Sequence, residues 1–107
     1  MPSVFQVEST TDSHEEAGKI ANALVEKHLA ACVQVVGPIV STFRWEGRVQ
    51  DAEEFLLLCK VPGERLEEAT SLIEELHSYD VPEVLAFEVA GGSRSYLDWV
   101  AAETTEQ

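Results

Sequence analysis

Hydrophobic and polar positions change period several times along this chain, and each change marks an element. Val4-Phe5-Gln6-Val7-Glu8 alternates as a half-buried strand does. Thr10-Thr11-Asp12-Ser13 breaks that pattern. Ser13 and Glu16 then form an S-x-x-E capping box, with Glu15 and Glu16 suited to a helix's positive end. Ala17, Ile20, Ala21, Leu24 and His28 recur at helical spacing, predicting a helix from about His14 to Ala30. From Cys32 to Trp45 and from Val49 to Val61 the chain is rich in β-branched and aromatic residues. Between these arms Glu46-Gly47 suits a two-residue hairpin turn. Each arm holds about 13 residues, or roughly 40 Å of strand, far beyond the usual five or six. Gly37-Pro38 interrupts the first arm and predicts a bulge, because proline donates nothing to a ladder.

Pro62-Gly63-Glu64 ends the hairpin and opens a second helix, with Leu66, Ala69, Leu72, Ile73 and Leu76 on one face and glutamates on the other. His77 to Glu83 reads as a loop, Val84 to Val89 as a strand, and Ser95 to Glu103 as a last helix. The tail Thr104-Thr105-Glu106-Gln107 is expected to fray. The order β-α-β-β-α-β, with right-handed crossovers, is an α+β, ferredoxin-like sandwich, here with a long β2–β3 hairpin and an extra C-terminal helix. Residues 1–107 are read as one domain. Phe55-Leu56-Leu57-Leu58-Cys59 is apolar at every position, so both of its faces should be covered. Helices cover one face, and another subunit is expected on the other.

Composition narrows the partners. Twenty acidic residues against seven basic give a formal net charge of −13, which argues against nucleic acid and against anionic membrane. No apolar run approaches a membrane span, and Met1-Pro2-Ser3-Val4 lacks the features of a signal peptide, so the expected location is cytoplasmic. Two cysteines in that setting are expected as free thiols.

The motifs then come together. Thr10-Thr11 precedes the first helix, Leu29-Ala30-Ala31-Cys32 enters the hairpin, and Trp45-Glu46-Gly47 makes its turn. Glu53 and Lys60 lie on the third strand, followed by His77-x-Tyr79-x-Val81-Pro82-Glu83 and by Tyr96-Leu97-x-Trp99. In this order the chain resembles the CutA family, the divalent-cation-tolerance proteins. That resemblance implies a ferredoxin-like subunit, a homotrimer, an architecture similar to PII signalling proteins, and association with copper or another divalent cation that folding does not require. The chain departs from the family pattern at Ser9, where some relatives carry cysteine, at Ser78, where the usual residue is proline, and at Asp80, where glutamate is common.

The residues themselves offer two candidate chemistries. No C-x-x-C or H-x-x-x-H spacing is present, which disfavours a closed zinc site. Cys32 and Cys59 fall on partnered strands. A plain two-residue turn places Gln34 opposite Cys59, and extra residues at the bulge move Cys32 towards it. Two adjacent thiolates would suit soft Cu(I); the competing reading is small core residues. His77, beside Tyr79, Asp80 and Glu83, could bind a divalent cation or simply serve the helix C-terminus. His77 and Cys32 are therefore the candidate metal ligands. Trp45, Lys60, Tyr79, Glu83 and Trp99 are the candidates for a ligand cleft between subunits, the alternative, PII-like reading. With no nucleophile elbow, phosphate loop or catalytic histidine set, the chain is not read as an enzyme.

Overall fold

The computed structural model describes residues 3–105. Strand β1 spans Val4–Thr11, helix α1 His14–Glu26, β2 Cys32–Trp45 and β3 Arg48–Pro62. A 3-10 turn at Gly63–Arg65 leads into α2 (Leu66–Leu76), followed by β4 (Val84–Glu88) and α3 (Arg94–Glu103). The strands form one antiparallel sheet in the order β2-β3-β1-β4, so the first and third strands are central as the connectivity requires.

Local chemistry sets the element ends. Ser13 caps α1 by accepting the Glu16 amide at 3.1 Å, and Thr11 in turn donates to the Glu16 carboxylate. The helix stops at Glu26, earlier than its periodicity predicts. His28 takes a left-handed φ of 60°, and the amides of Leu29 and Ala30 both turn back to the Leu24 carbonyl. This drops Leu29 and Ala30 into the core instead of extending the helix. In the hairpin, Glu46 and Gly47 have φ of 51° and 78°, the paired positive values of a type I′ turn, whose twist matches that of the strands.

The predicted bulge is present. Pairing runs from Trp45↔Arg48 to Ile39↔Glu54, then resumes at Val36↔Leu56, so Gly37 and Pro38 together oppose Phe55. A Cβ on Gly37 would lie 2.7 Å from Phe55 Cδ1, which explains the glycine. β1 pairs with β3 only from Phe55 to Pro62, so the strand from Arg48 to Glu54 pairs with β2 alone. The hairpin tip therefore projects beyond the rest of the sheet, and the chain with its hairpin measures 44 × 26 × 21 Å.

One face of the sheet carries the core. Val7, Leu57, Cys59 and Val61 pack there against Ala17, Ile20 and Leu24 of α1 and Ala69 and Ile73 of α2. The alternate positions face the other way, where Leu56 and Leu58 are half-buried and Leu85 and Phe87 are each 51% exposed. At one end of that second face α3 packs Leu97 and Val100 on Val4. Thr104, expected to fray, is instead buried, its hydroxyl donating to the Val100 carbonyl at 2.7 Å. Glu106 and Gln107 lie outside the described residues. Among the described residues no helix is long and apolar enough to cross a membrane.

Candidate functional site

The overhanging hairpin and the loop after α2 enclose a cleft of about 790 Å³. β2 contributes Phe43, Arg44 and Trp45 to its walls, β3 contributes Glu54, and the loop contributes Tyr79, Asp80, Val81 and Glu83. Thr10 and Asp12, where β1 gives way to α1, close one end.

The loop is held from below by His77. Its side chain is fully buried, with Nε2 2.7 Å from the Thr10 carbonyl and Nδ1 accepting the Tyr79 amide at 3.1 Å. Those partners assign the proton to Nε2, which donates to Thr10. The ring also lies 4.7 Å from that of Tyr79, fixing its direction. Tyr79 then donates its hydroxyl to Glu54 Oε2 at 2.7 Å. Burial, followed by the bond to Glu54 and its charge, pushes the phenol well above its ordinary value.

Carboxylates dominate the electrostatics of this cleft. Glu54 is only 6% exposed, and among the described residues no basic side chain pairs with it. Partial burial and the charges of Glu54 and Glu8 raise the Glu83 carboxyl above its ordinary range. Asp12 and Asp80 add two more acids against the one guanidinium of Arg44, which donates to the Gly47 carbonyl at 3.4 Å.

Cys32 lies elsewhere. It pairs with Lys60, which pairs across β1 with Gln6, four residues along that strand from Thr10, or roughly 13 Å from the His77 anchor. Cys32 and His77 therefore do not converge within one chain. Nor do the two cysteines: the bulge shifts the register by one, so Val33 faces Cys59 and Cys32 points to the opposite side of the sheet. Cys59 is wholly buried, and its thiol is pushed up to about 12 by that burial, against the nearby Lys60 charge. Among the described residues no group of three or more histidine, cysteine, aspartate or glutamate side chains is arranged to hold a metal ion. A closed site in one chain does not fit these donors.

The cleft candidates divide in the same way. Trp45, Tyr79 and Glu83 line the cleft together. Lys60 does not; its ammonium donates to Gln6 Oε1 at 2.9 Å and Gln34 Oε1 at 3.0 Å, while Glu53 faces Val40 instead of pairing with it. Trp99 lies on α3, its ring centroid 5.5 Å from that of Tyr96, whose hydroxyl adjoins Cys32. Glu54, Phe43 and Asp12 were not singled out in the sequence. For Glu54 the signal was present: an acid at the inner end of an apolar run, in phase with Leu56 and Leu58.

The sequence over residues 5–103 matches the family model described as CutA1 divalent ion tolerance protein. The chain belongs to the CutA family. It is 43% identical over 95 residues to the divalent-cation tolerance protein CutA of Thermus thermophilus, covering 89% of this chain and 92% of that one. It is 42% identical over 104 residues to the chloroplastic protein CutA of Arabidopsis thaliana, where 97% of this chain spans only 57% of the relative's length. The crystal structure of CutA from Xylella fastidiosa superposes with a TM-score of 0.93 at 34% identity, covering 95% of this chain and 98% of that one. The α+β architecture is thus that of the family, and the family's name relates the chain to divalent-cation tolerance.

Proposed function

We propose that this protein serves divalent-cation tolerance as a cytoplasmic, non-enzymatic homotrimer. In this reading copper or another divalent cation engages donors presented by more than one subunit. Cys32 carries it. Of the two cysteines it alone is partly exposed, it lies on the sheet face turned away from the core, and a thiolate is a soft donor suited to copper. Leu85 and Phe87 on that same face, with the projecting hairpin, support burial against further copies of the chain. Calorimetric titration with Cu(I), Cu(II) and Zn(II), on the wild type and Cys32→Ser, tests the metal reading. Unchanged copper binding in the variant would remove Cys32 from it.

A second reading has its own observation. The cleft between hairpin and loop has the size of a small-molecule site, generally about 300–1,000 Å³, and gathers Trp45, Tyr79 and Glu83. It supports a PII-like role in which a bound ligand, or a protein partner, reports on the cell through a trimer.

A further inference from the structure

Resting on the trimer reading above, we propose that the Tyr79–Glu54 hydrogen bond is an assembly brace. It holds the hairpin overhang in the direction from which neighbouring copies of the chain take it up, which makes Tyr79 a positioning residue for association.

The overhang begins at a hinge. β1 pairs with β3 as far as Thr11↔Phe55, and beyond that point β3 has only β2 beside it. At the same level the β2–β3 ladder is itself broken, because Gly37 and Pro38 together oppose Phe55 before pairing continues at Ile39↔Glu54. A bulge bends its strand and interrupts the ladder. Residues 39–54 are thus a two-stranded arm on a weakened base, and a two-stranded hairpin is by itself marginal in water.

One polar tether steadies that arm. Its other described side-chain hydrogen bonds are internal, from Arg44 to the Gly47 carbonyl and from Gln50 to the Trp45 carbonyl. Among the described residues, the bond from Tyr79 to Glu54 at 2.7 Å is the one side-chain hydrogen bond that joins residues 39–54 to the rest of the chain. The tyrosine end is firmly set. His77 behind it is buried, bonded to the Thr10 carbonyl and the Tyr79 amide, with its ring 4.7 Å from the phenol ring. Through that relay the arm is fastened to β1, the strand that stops short of it.

Direction matters because the arm is long. From Glu54 to Arg48 is roughly 20 Å of strand, so a tilt of about 10° at the base moves the tip by roughly 3–4 Å. A side-chain contact spans about 4 Å, so such a tilt takes the tip out of register with a neighbour. An arm already held in its assembled direction loses less freedom on association, which strengthens binding without any new contact.

The test is sedimentation of the full chain across a dilution series, with urea below the unfolding range added until the assembly dissociates. Tyr79→Phe should raise the concentration of half-dissociation about tenfold or more while circular dichroism shows the chain still folded. Glu54→Gln, whose side-chain carbonyl still accepts the phenol, should stay within about twofold of wild type. A bond that serves only the stability of the single chain leaves the half-dissociation point where it was, so an unchanged point in Tyr79→Phe overturns the proposal. An equal shift in Glu54→Gln also overturns it, by assigning the effect to charge. If the wild type is monomeric at every concentration, the trimer reading falls, and backbone amide relaxation decides the brace separately. Order parameters over residues 39–54 should then drop in Tyr79→Phe from about 0.85 towards 0.6, and unchanged values overturn the brace as well.

Discussion

Tyr79 and Glu54 meet phenol to carboxylate at 2.7 Å, tying the loop after α2 to the inner end of the hairpin overhang. Tyr79→Phe keeps the ring against His77 and removes only the donor. Glu54 is then buried without its described partner, so the variant should lose about 1–3 kcal/mol. Urea unfolding at fixed protein concentration measures this. A loss of a few tenths or less would mean that water already satisfies the carboxylate.

His77 is bonded at both ring nitrogens, to the Thr10 carbonyl and the Tyr79 amide, and its side chain is fully buried. His77→Ala should therefore destabilise the protein by about 2–3 kcal/mol through two lost hydrogen bonds and a small void. Copper stoichiometry, read by calorimetry, should stay at the wild-type value. Reduced copper binding with an unchanged melting temperature would instead make His77 a ligand.

The Glu16 carboxyl is pulled two ways. Burial raises it, but hydrogen bonds from Thr11 and Ser78, with His77 nearby, hold it below the ordinary 4.5. A depressed folded value means that its contribution to stability is present above 4.5 and is lost as pH falls through that lower folded value. Glu16→Gln should lower the melting temperature at pH 7 and converge with the wild type at acid pH. A constant gap down to acid pH would assign the effect to shape, not charge.

Much of this architecture was legible in the chain because local and long-range signals agreed. The Ser13–Glu16 cap, the Glu46-Gly47 turn and the Gly37-Pro38 bulge each depend on residues adjacent in sequence, and each is present. The α1 terminus was misplaced because His28 fits the apolar stripe while its backbone leaves the helix, letting the ring reach the Glu103 carbonyl 75 residues away. The site was only half legible. Trp45, Tyr79 and Glu83 do meet, but Lys60 and Trp99 sit at the other end of the sheet, since composition does not show which end a strand residue faces. Cys32 missed Cys59 by one residue of register, which at a period of two reverses the face.

The trimer proposal rests on the second face of the sheet, where Leu85 and Phe87 are half exposed beside Leu56 and Leu58. Sedimentation should show a trimer at micromolar concentration. Phe87→Asp should shift it towards monomer by placing a charge in an apolar contact. With −13 on each chain, moderate salt should also raise the melting temperature by screening repulsion between copies. A stable wild-type monomer would defeat the trimer proposal.

Thiol chemistry gives the sharpest check on register. Cys32 is paired with Lys60 on the face turned from the core, while Cys59 faces Val33 within it. Side chains on opposite faces cannot be joined by a disulfide without moving the backbone, so both cysteines should be free. Only a thiolate attacks a disulfide reagent, and burial holds Cys59 at about 12, far above any working pH. In native protein at pH 8 an aromatic disulfide reagent should therefore modify Cys32 first and leave Cys59 untouched. In denaturant without reductant the count should rise to two per chain, and Cys32→Ser should lower each count by one. Equal native rates at the two positions would place Cys59 outside the core. Finding no thiol in denaturant would show a cross-strand disulfide, and with it a register one residue away from the one described.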